Sequence, residues 1–217
     1  MRHFVPGTAI RYTTDGSDPD SAGRPYSSPF TLTTGGQFRA KAYKPGWLAS
    51  EATTATFYNQ KFPPDGIQLL LPVDSNYLKY SPNVLIDADK GDQGFNSGKW
   101  LGFRKNAFSA LLYYNHPVTI NSISFSSLVD IGAHIFPPTS LSVYGGPDRN
   151  HLHPTGALTP AQPDSTTPSS LTSYTIKFAP QTLRCLKVTA TPVKSLPKWH
   201  PSKGKPAWIF FDELLVN

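Results

Sequence analysis

Cysteine, glutamate and long apolar runs are the scarce features of this sequence. Cys185 is the single cysteine, so no disulfide can form within the chain. Glutamate occurs only at Glu51 and Glu213, while strand-forming residues are plentiful, and this balance favours strands over helices. Mainly apolar runs such as 67–72 are too short to cross a membrane, and the first residues lack the apolar run of a signal peptide. We therefore expect an all-β protein without a membrane span.

The charge balance is basic but gives little indication of a nucleic-acid partner. The net charge is +6, and the acid-free stretch 184–205 carries six of the lysines and arginines. Such a stretch suits phosphate contacts, but a solvated loop is the plainer interpretation. Basic and aromatic residues do not interleave there as they do in nucleic-acid-binding domains, so we expect no nucleic-acid partner.

The sequence pattern changes at 62–66 (Phe-Pro-Pro-Asp-Gly), where proline pairs and Asp-Gly favour turns and extended backbone. This predicts two modules, 1–62 and 63–217. In the first, strands are expected at 9–13, 37–43 and 52–58, and about four strands are few for a β-sandwich. In the second, short strands divided by turn residues predict a jelly-roll β-sandwich. The candidate strands there are 68–71, 100–103, 110–114, 119–126, 140–144, 173–178, 185–191 and 208–216.

Catalytic signatures are missing from the chain, which contains no HExxH, P-loop, GxSxG or CxxC motif. The adjacent carboxylates Asp212 and Glu213 are the one pair that a glycosidase could use as acid and base. Consecutive residues of a strand point to opposite faces, however, and the chain is too short for a catalytic barrel. We therefore expect a chain that is not an enzyme by itself.

A turn rich in aspartate offers a candidate metal site. Asp87, Asp89 and Asp92 lie within a few residues of one another, and a closing strand that carries Glu213 could meet this turn. Calcium prefers several hard oxygen ligands, including carboxylates. The alternative is that these are ordinary turn aspartates.

The loop before the final strand offers a candidate sugar site. Lys198, Trp199 and His200 lie in a stretch rich in proline and lysine. An exposed tryptophan beside a histidine suits the face and the hydroxyls of a pyranose. The alternative is that Trp199 covers the end of the sandwich; Trp100 and Trp208 are expected in the core.

Two family resemblances add to this interpretation. Residues 10–19 (IRYTTDGSDP), 26–29 (YSSP) and 38–42 (FRAKA) resemble the carboxy-terminal Ig-like domain of chitobiases and β-hexosaminidases. This resemblance covers residues 7–58 and implies an Ig-like β-sandwich. One or more strands normally precede the first motif in that family, whereas nine residues precede it here, so the module is expected to be partial.

The rest of the chain, residues 65–217, is similar to the discoidin (coagulation factor 5/8 type C) superfamily, which includes galactose-binding-like carbohydrate-binding modules. The matching segments are 85–87 with Gly91, 100–103 (WLGF), 196–200 (LPKWH) and 207–213 (AWIFFDE). The resemblance implies a structural calcium ion between the turn and the glutamate of the last strand. It points to Asp87 and Glu213 as ligands, with Asp92 as a further candidate in the turn. Ala88 stands where the family often has glycine.

Paired modules of these two types typically follow a catalytic domain in secreted bacterial enzymes that degrade glycans. The resemblance therefore implies an accessory region of a larger secreted, periplasmic or cell-surface protein. Its expected partners are a glycan ligand and an amino-terminal catalytic domain outside this chain, such as a β-N-acetylhexosaminidase. Two alternatives remain: spacer or docking modules without a ligand, and a hydrolase fragment that uses Asp212 and Glu213.

Overall fold

The computed structural model describes residues 1–20, 23–32, 36–57 and 59–217, and β-strands dominate it, which confirms the predicted all-β fold class. It divides into two compact units, Met1–Asn59 and Gln60–Asn217. Short 3₁₀ helices span Ser75–Tyr77 and Pro82–Leu85. Among the described residues, no helix has the length and apolarity needed to cross a membrane. The strands are β1 (Ala9–Thr13), β2 (Arg24–Pro25), β3 (Gly36–Tyr43), β4 (Thr53–Phe57), β5 (Gly66–Leu69), β6 (Leu101–Phe103), β7 (Phe108–Val129), β8 (Ser140–Gly146), β9 (His153–Leu158), β10 (Ser170–Thr191) and β11 (Ile209–Val216).

The amino-terminal unit is one antiparallel sheet with strand order β2-β1-β3-β4. The turn after β1 is fixed by Asp15, whose carboxylate accepts hydrogen bonds from the Ser17 amide at 3.0 Å and the Ser17 hydroxyl at 2.6 Å. Among the residues of this unit whose burial the structure describes, only Pro19 is buried. A sandwich needs two layers, so the Ig-like part of the prediction is not confirmed. Tyr58, which the prediction placed in the last strand, lies outside the described residues.

The carboxy-terminal unit is a sandwich made by one antiparallel sheet that folds over itself. The strand order is β6-β11-β7-β10-β8-β9, with β5 paired to β7. The first half of β7 pairs with β5 and its second half with β11, while β10 follows β7 along nearly its whole length. Phe108 in early β7 packs 5.1 Å from Phe211 in β11, centroid to centroid, so the two parts of the sheet meet face to face.

The core of this unit lies between the two layers and is rich in large aromatic side chains. Each fully buried residue of this size contributes roughly 1.5–3 kcal/mol relative to an exposed one. Six aromatic residues of this core are at most 2% exposed: Trp100, Phe103, Phe108, Phe125, Phe210 and Phe211. The core therefore holds the strands rigidly enough to position the loops at the ends.

The structure joins strands that the sequence pattern separates. Residues 110–114 and 119–126 both belong to β7, and residues 173–178 and 185–191 both belong to β10. Pro117 lies between the first two ranges, and β7 has no partner residue in β10 over 114–117, so the missing proline N–H costs no ladder hydrogen bond. Strand β9 was not predicted, because Pro154 and Gly156 are typical of turns; β9 is an edge strand, where proline is tolerated.

Candidate functional site

A cavity of about 410 Å³ lies in the carboxy-terminal unit where the loops around 75–80, 95–96 and 133–135 meet the start of β11. Its aromatic lining consists of Tyr77, Tyr80, Phe95 and Trp208, with Phe210 at its base. Its polar lining consists of Asn76, Asn96 and Lys79. Small-ligand sites are commonly concave, roughly 300–1,000 Å³ in volume, and lined by aromatic residues with a few polar groups.

Tyr77 holds one wall of the cavity in place. The 3₁₀ helix that carries it begins at Asp74, whose carboxylate accepts a hydrogen bond from the Asn76 amide at 3.4 Å. The Tyr77 ring packs edge-on against Phe210 at 5.2 Å, and burial raises the pKa of its hydroxyl to about 12. A Cβ atom at Gly102 would come within 2.8 Å of the Tyr77 ring, so the glycine of the WLGF segment permits this close packing.

Trp208 continues this wall, since its ring packs edge-on against Tyr77 at 6.0 Å; it is partly exposed, although the sequence placed it in the core. Its backbone amide donates to the His134 carbonyl at 2.8 Å. The Arg104 guanidinium lies 5.3 Å from the centre of the indole ring, and its Nε donates to the Pro206 carbonyl at 3.0 Å. The indole is therefore oriented from two sides, by the backbone and by a cation over one face.

The sequence-predicted sugar site divides into an exposed and a buried part. Trp199 is 39% exposed, and its ring stacks on the buried Phe136 at 6.1 Å. His200 is 5% exposed; one ring nitrogen, Nε2, lies 2.9 Å from the Ile131 carbonyl, and Nδ1 accepts a hydrogen bond from the Ser202 amide at 3.0 Å. The second bond requires Nδ1 to be unprotonated, so Nε2 is the donor to Ile131. Both nitrogens of His200 thus have partners within the protein.

Lys198 is exposed at the start of the same turn. The structure does not place Lys198, Trp199 or His200 among the residues that line the aromatic cavity. His134 connects the two regions: its ring lies 5.0 Å from the His200 ring, and its backbone binds Trp208. Sequence reasoning missed the cavity because its aromatic residues come from segments more than a hundred residues apart, Tyr77 and Trp208 among them.

His134 also marks a strained and electrostatically positive loop. Its φ of 62° lies in the left-handed region, which costs roughly 1–2 kcal/mol for a residue with a Cβ. Burial lowers the pKa of the His134 imidazole, and the nearby His200 ring and the cations Arg104 and Lys205 lower it further. Cations therefore converge on the loop behind Trp208.

The adjacent carboxylates of β11 point to the same turn, which corrects the sequence prediction. A β-bulge between Phe211 and Glu213 breaks the simple alternation of faces. Asp212 accepts hydrogen bonds from the Gly91 amide at 2.7 Å and from the Lys90 ammonium at 2.6 Å. Asp212 and Glu213 are both 0% exposed, so a substrate has no access to either carboxylate.

Glu213 provides the test of whether calcium fits this turn. Both of its carboxylate oxygens are buried without a hydrogen-bond partner. Burial, then the charges of Asp87 and Asp212, raise the pKa of Glu213 to about 8. Asp87 is exposed, and one of its oxygens accepts a hydrogen bond from the Asp89 amide at 2.9 Å. The orphaned oxygens of Glu213 and the neighbouring Asp87 carboxylate are hard donors of the kind that calcium prefers, with backbone carbonyls or water completing its shell. Asp87 and Glu213 therefore fit the ion.

Asp92 has a different environment. It is exposed, its carboxylate accepts a hydrogen bond from the Gly94 amide at 2.8 Å, and its carbonyl accepts one from the Trp100 indole at 3.1 Å. Within residues 1–20, 23–32, 36–57 and 59–217, no group of three or more His, Cys, Asp or Glu side chains is arranged to hold a metal. The structure thus does not gather Asp87, Asp92 and Glu213 into one three-carboxylate site.

Comparisons with known proteins give one family match and several structural ones. The family model described as Fn3 associated matches residues 3–57, less than half of the chain. No curated protein matches. The chain is similar to the CBM32 of AlyQ in complex with 4,5-unsaturated mannuronic acid, at 16% identity, covering 74% of this chain and 98% of that chain with a TM-score of 0.46.

Two further solved structures have similar values. A CBM32 module from Clostridium perfringens, in complex with GalNAc-β-1,3-galactose, is 16% identical and covers 70% of this chain and 93% of that chain with a TM-score of 0.44. The C-terminal domain of a chitobiase from Bacteroides fragilis is 15% identical and covers 72% of this chain and 95% of that chain, also with a TM-score of 0.44. Such low identities and TM-scores do not assign a family or a ligand to this chain.

Proposed function

We propose that the unit Gln60–Asn217 is a carbohydrate-binding accessory module of a larger protein, and that a glycan binds in the aromatic cavity. The observation that carries the proposal is the combination of Tyr80, Phe95 and Trp208 with the side chains of Asn76 and Asn96 in one concave surface of about 410 Å³. Aromatic rings stack on the apolar face of a sugar ring, and amide groups offer both donors and acceptors to its hydroxyls.

Two further observations support binding over catalysis. The one pair of neighbouring carboxylates that resembles a glycosidase acid and base, Asp212 and Glu213, is fully buried. No carboxylate lines the cavity among the residues that the structure describes. The cavity groups can therefore orient a sugar, but they include neither a general acid nor a carboxylate nucleophile.

Calorimetric titration tests the proposal with a galactoside, an N-acetylhexosaminide and oligosaccharides of neutral and acidic type. Asn96→Ala is the first variant, since Asn96 is exposed and its loss should weaken binding without unfolding the chain. Asn150→Ala is the matched control, because Asn150 does not line the cavity. It follows Gly146, the end of β8 that lies farther along the chain from the cavity loop 133–135. Absence of binding to every sugar, or equal weakening by both variants, would contradict the proposal.

The same module is proposed to hold a structural calcium ion through Asp87 and Glu213. The support is the pair of unpartnered Glu213 oxygens and the adjacent Asp87 carboxylate. When bound, the ion neutralises these carboxylates and ties the turn 87–91 to β11. EDTA should then lower the melting temperature and excess calcium should restore it. A melting temperature that does not respond to either would remove calcium from the proposal.

For the amino-terminal unit we propose a second role, as a docking surface for an adjoining domain. Ile10, Tyr12, Phe38 and Phe57 line an apolar concavity of about 580 Å³ over its single sheet. Phe57 is 46% exposed, which is unusual for a residue on the apolar face of a sheet. The dye anilinonaphthalene sulfonate should bind this face, and Phe57→Ser should reduce its fluorescence; unchanged fluorescence would argue against an open apolar face.

A further inference from the structure

We infer that the glycan recognised at the aromatic cavity is acidic, a polysaccharide with repeated carboxylate or sulfate groups. This inference rests on the proposed carbohydrate-binding function and adds the chemical class of the ligand. It follows from the charges that surround the cavity, where cations lie against the aromatic walls and the nearby carboxylates are already engaged.

Two cations lie directly against the aromatic walls. Lys79 lines the cavity, and its ammonium group is 4.9 Å from the centre of the Tyr80 ring. The Arg104 guanidinium is 5.3 Å from the centre of the Trp208 ring, although Arg104 itself does not line the cavity. A sugar bound in the cavity therefore meets the Lys79 ammonium group in its lining, and a second cation is held against the Trp208 ring. Arg104 presents a planar donor fork that matches carboxylate and sulfate oxygens.

A second group of cations continues from the cavity along the neighbouring loop. Lys205 is exposed in the loop that precedes Trp208, and its charge, like that of Arg104, adds to the lowering of the His134 pKa that burial causes. Lys198 and Lys203 lie in the same loop and are exposed. The stretch 184–205 contains no aspartate or glutamate that would neutralise them. A polymeric ligand that extends beyond one sugar ring thus has further exposed cations available in this loop.

Asp74 and Asp130 are close in sequence to the cavity residues, and both carboxylates accept hydrogen bonds from backbone amides. Asp74 accepts hydrogen bonds from the Asn76 amide, and Asp130 accepts one from the Ala133 amide at 3.0 Å. Neither residue lines the cavity, and no other acidic residue in the described part of the chain does so. An anionic ligand therefore meets no negative charge on the cavity wall that would repel it. A neutral ligand, in contrast, leaves Lys79 and Arg104 without a counter-charge.

The size of the effect can be bounded from general electrostatics. Two unit charges 4 Å apart attract by about 1 kcal/mol in water and by about 4 kcal/mol at the effective dielectric constant of a protein surface. Each exposed pair is worth roughly 0.2–1 kcal/mol after screening, which is up to about a fivefold change in affinity. Several such pairs along a polymer give a preference of about tenfold or more, and salt weakens it.

The test compares matched charged and neutral polysaccharides by calorimetry at low and at 300 mM sodium chloride. Polygalacturonate and galactan form the first pair, and dextran sulfate and dextran form the second, so the two pairs separate carboxylate from sulfate as the recognised group. The expected result is binding to at least one charged polymer about tenfold tighter than to its neutral partner. The added salt is expected to reduce this difference.

Variants locate the effect. Lys79→Gln should weaken binding of the charged polymer by up to about fivefold and leave any binding of its neutral partner unchanged. Lys177→Gln is the matched control, because Lys177 is exposed and lies far from the cavity. It pairs with Ser122, which is seven residues, or roughly 23 Å, along β7 from Val129, where the strand ends before the cavity loop 133–135. The control should leave both affinities unchanged.

Each other outcome overturns a defined part of the inference. Equal affinity for charged and neutral polymers would overturn the acidic ligand and leave the proposed function standing. Binding of single-stranded oligothymidylate as tightly as polygalacturonate would indicate general polyanion binding, and would overturn the inference in favour of a nucleic-acid partner. Absence of binding to all four polysaccharides would overturn the inference and, with failure of the small sugars as well, the proposed function.

Discussion

Glu213 couples the stability of the carboxy-terminal unit to pH in the absence of calcium. Burial and two neighbouring carboxylates raise the pKa of Glu213 from 4.5 to about 8. Between these two values the folded protein keeps a proton that the unfolded chain has lost. Raising the pH in this window therefore lowers the free energy of unfolding, because a higher pH favours the state that binds fewer protons, which here is the unfolded chain.

The magnitude follows from the size of the shift. One bound proton changes the free energy of unfolding by about 1.4 kcal/mol per pH unit, so raising the pH from 5.5 to 7.5 should cost about 3 kcal/mol. Calcium binds the ionised carboxylate, so saturating calcium should abolish this part of the pH dependence. Glu213→Gln carries a neutral group of the same shape and should lack both the pH dependence and the response to calcium.

The assay is urea unfolding in EDTA, and separately in excess calcium, at pH 5.5 and 7.5. In EDTA, wild type and Glu213→Gln should be similar at pH 5.5, and the variant should be the more stable by about 3 kcal/mol at pH 7.5. The titration of His134 contributes equally to both proteins and cancels in the comparison. An equal pH dependence of the two proteins in EDTA would refute the assigned pKa and the environment of Glu213.

Three further predictions concern the same unit. Gly91→Ala should destabilise the fold by about 3 kcal/mol in chemical unfolding, since the new Cβ would lie 2.4 Å from the buried Trp100 ring; a loss below about 1 kcal/mol would contradict that packing. Ala88→Gly should raise stability by about 0.5–1 kcal/mol, because φ at Ala88 is 62° and glycine relieves the left-handed strain; a lower melting temperature would contradict it. His200→Ala should cost about 2–3 kcal/mol through two lost hydrogen bonds and leave glycan affinity unchanged, whereas lost affinity in a folded variant would restore His200 to the binding site.

The sequence predicted the strands whose pattern is local. The strands predicted at 37–43 and 208–216 depend on neighbouring residues, and the structure places them at β3 (Gly36–Tyr43) and β11 (Ile209–Val216). Pairing between distant segments was harder to predict. The predicted strands 110–114 and 119–126 form the single 22-residue strand β7. Their continuity depends on the gap in pairing with β10 near Pro117, and the local sequence does not indicate where that gap falls.

The candidate sites illustrate the same limit. The meeting of the turn at Asp87 with Glu213 was expected from the family resemblance, while the role of Asp212 was missed because a β-bulge overrides strand alternation. Trp199 was identified from its loop composition, but the cavity around Trp208 forms only when loops from three parts of the chain come together. Its recognition required the folded structure.

Chemical-shift mapping by nuclear magnetic resonance tests glycan binding in the aromatic cavity most directly. A sugar that binds should shift the side-chain amide signals of Asn76 and Asn96 and the indole N–H of Trp208, and should leave those of Asn150 and Trp47 in place. Shifts confined to Trp199 and its neighbours would move the site to the loop 198–200. No shifts with any neutral or acidic glycan would contradict carbohydrate binding by this unit.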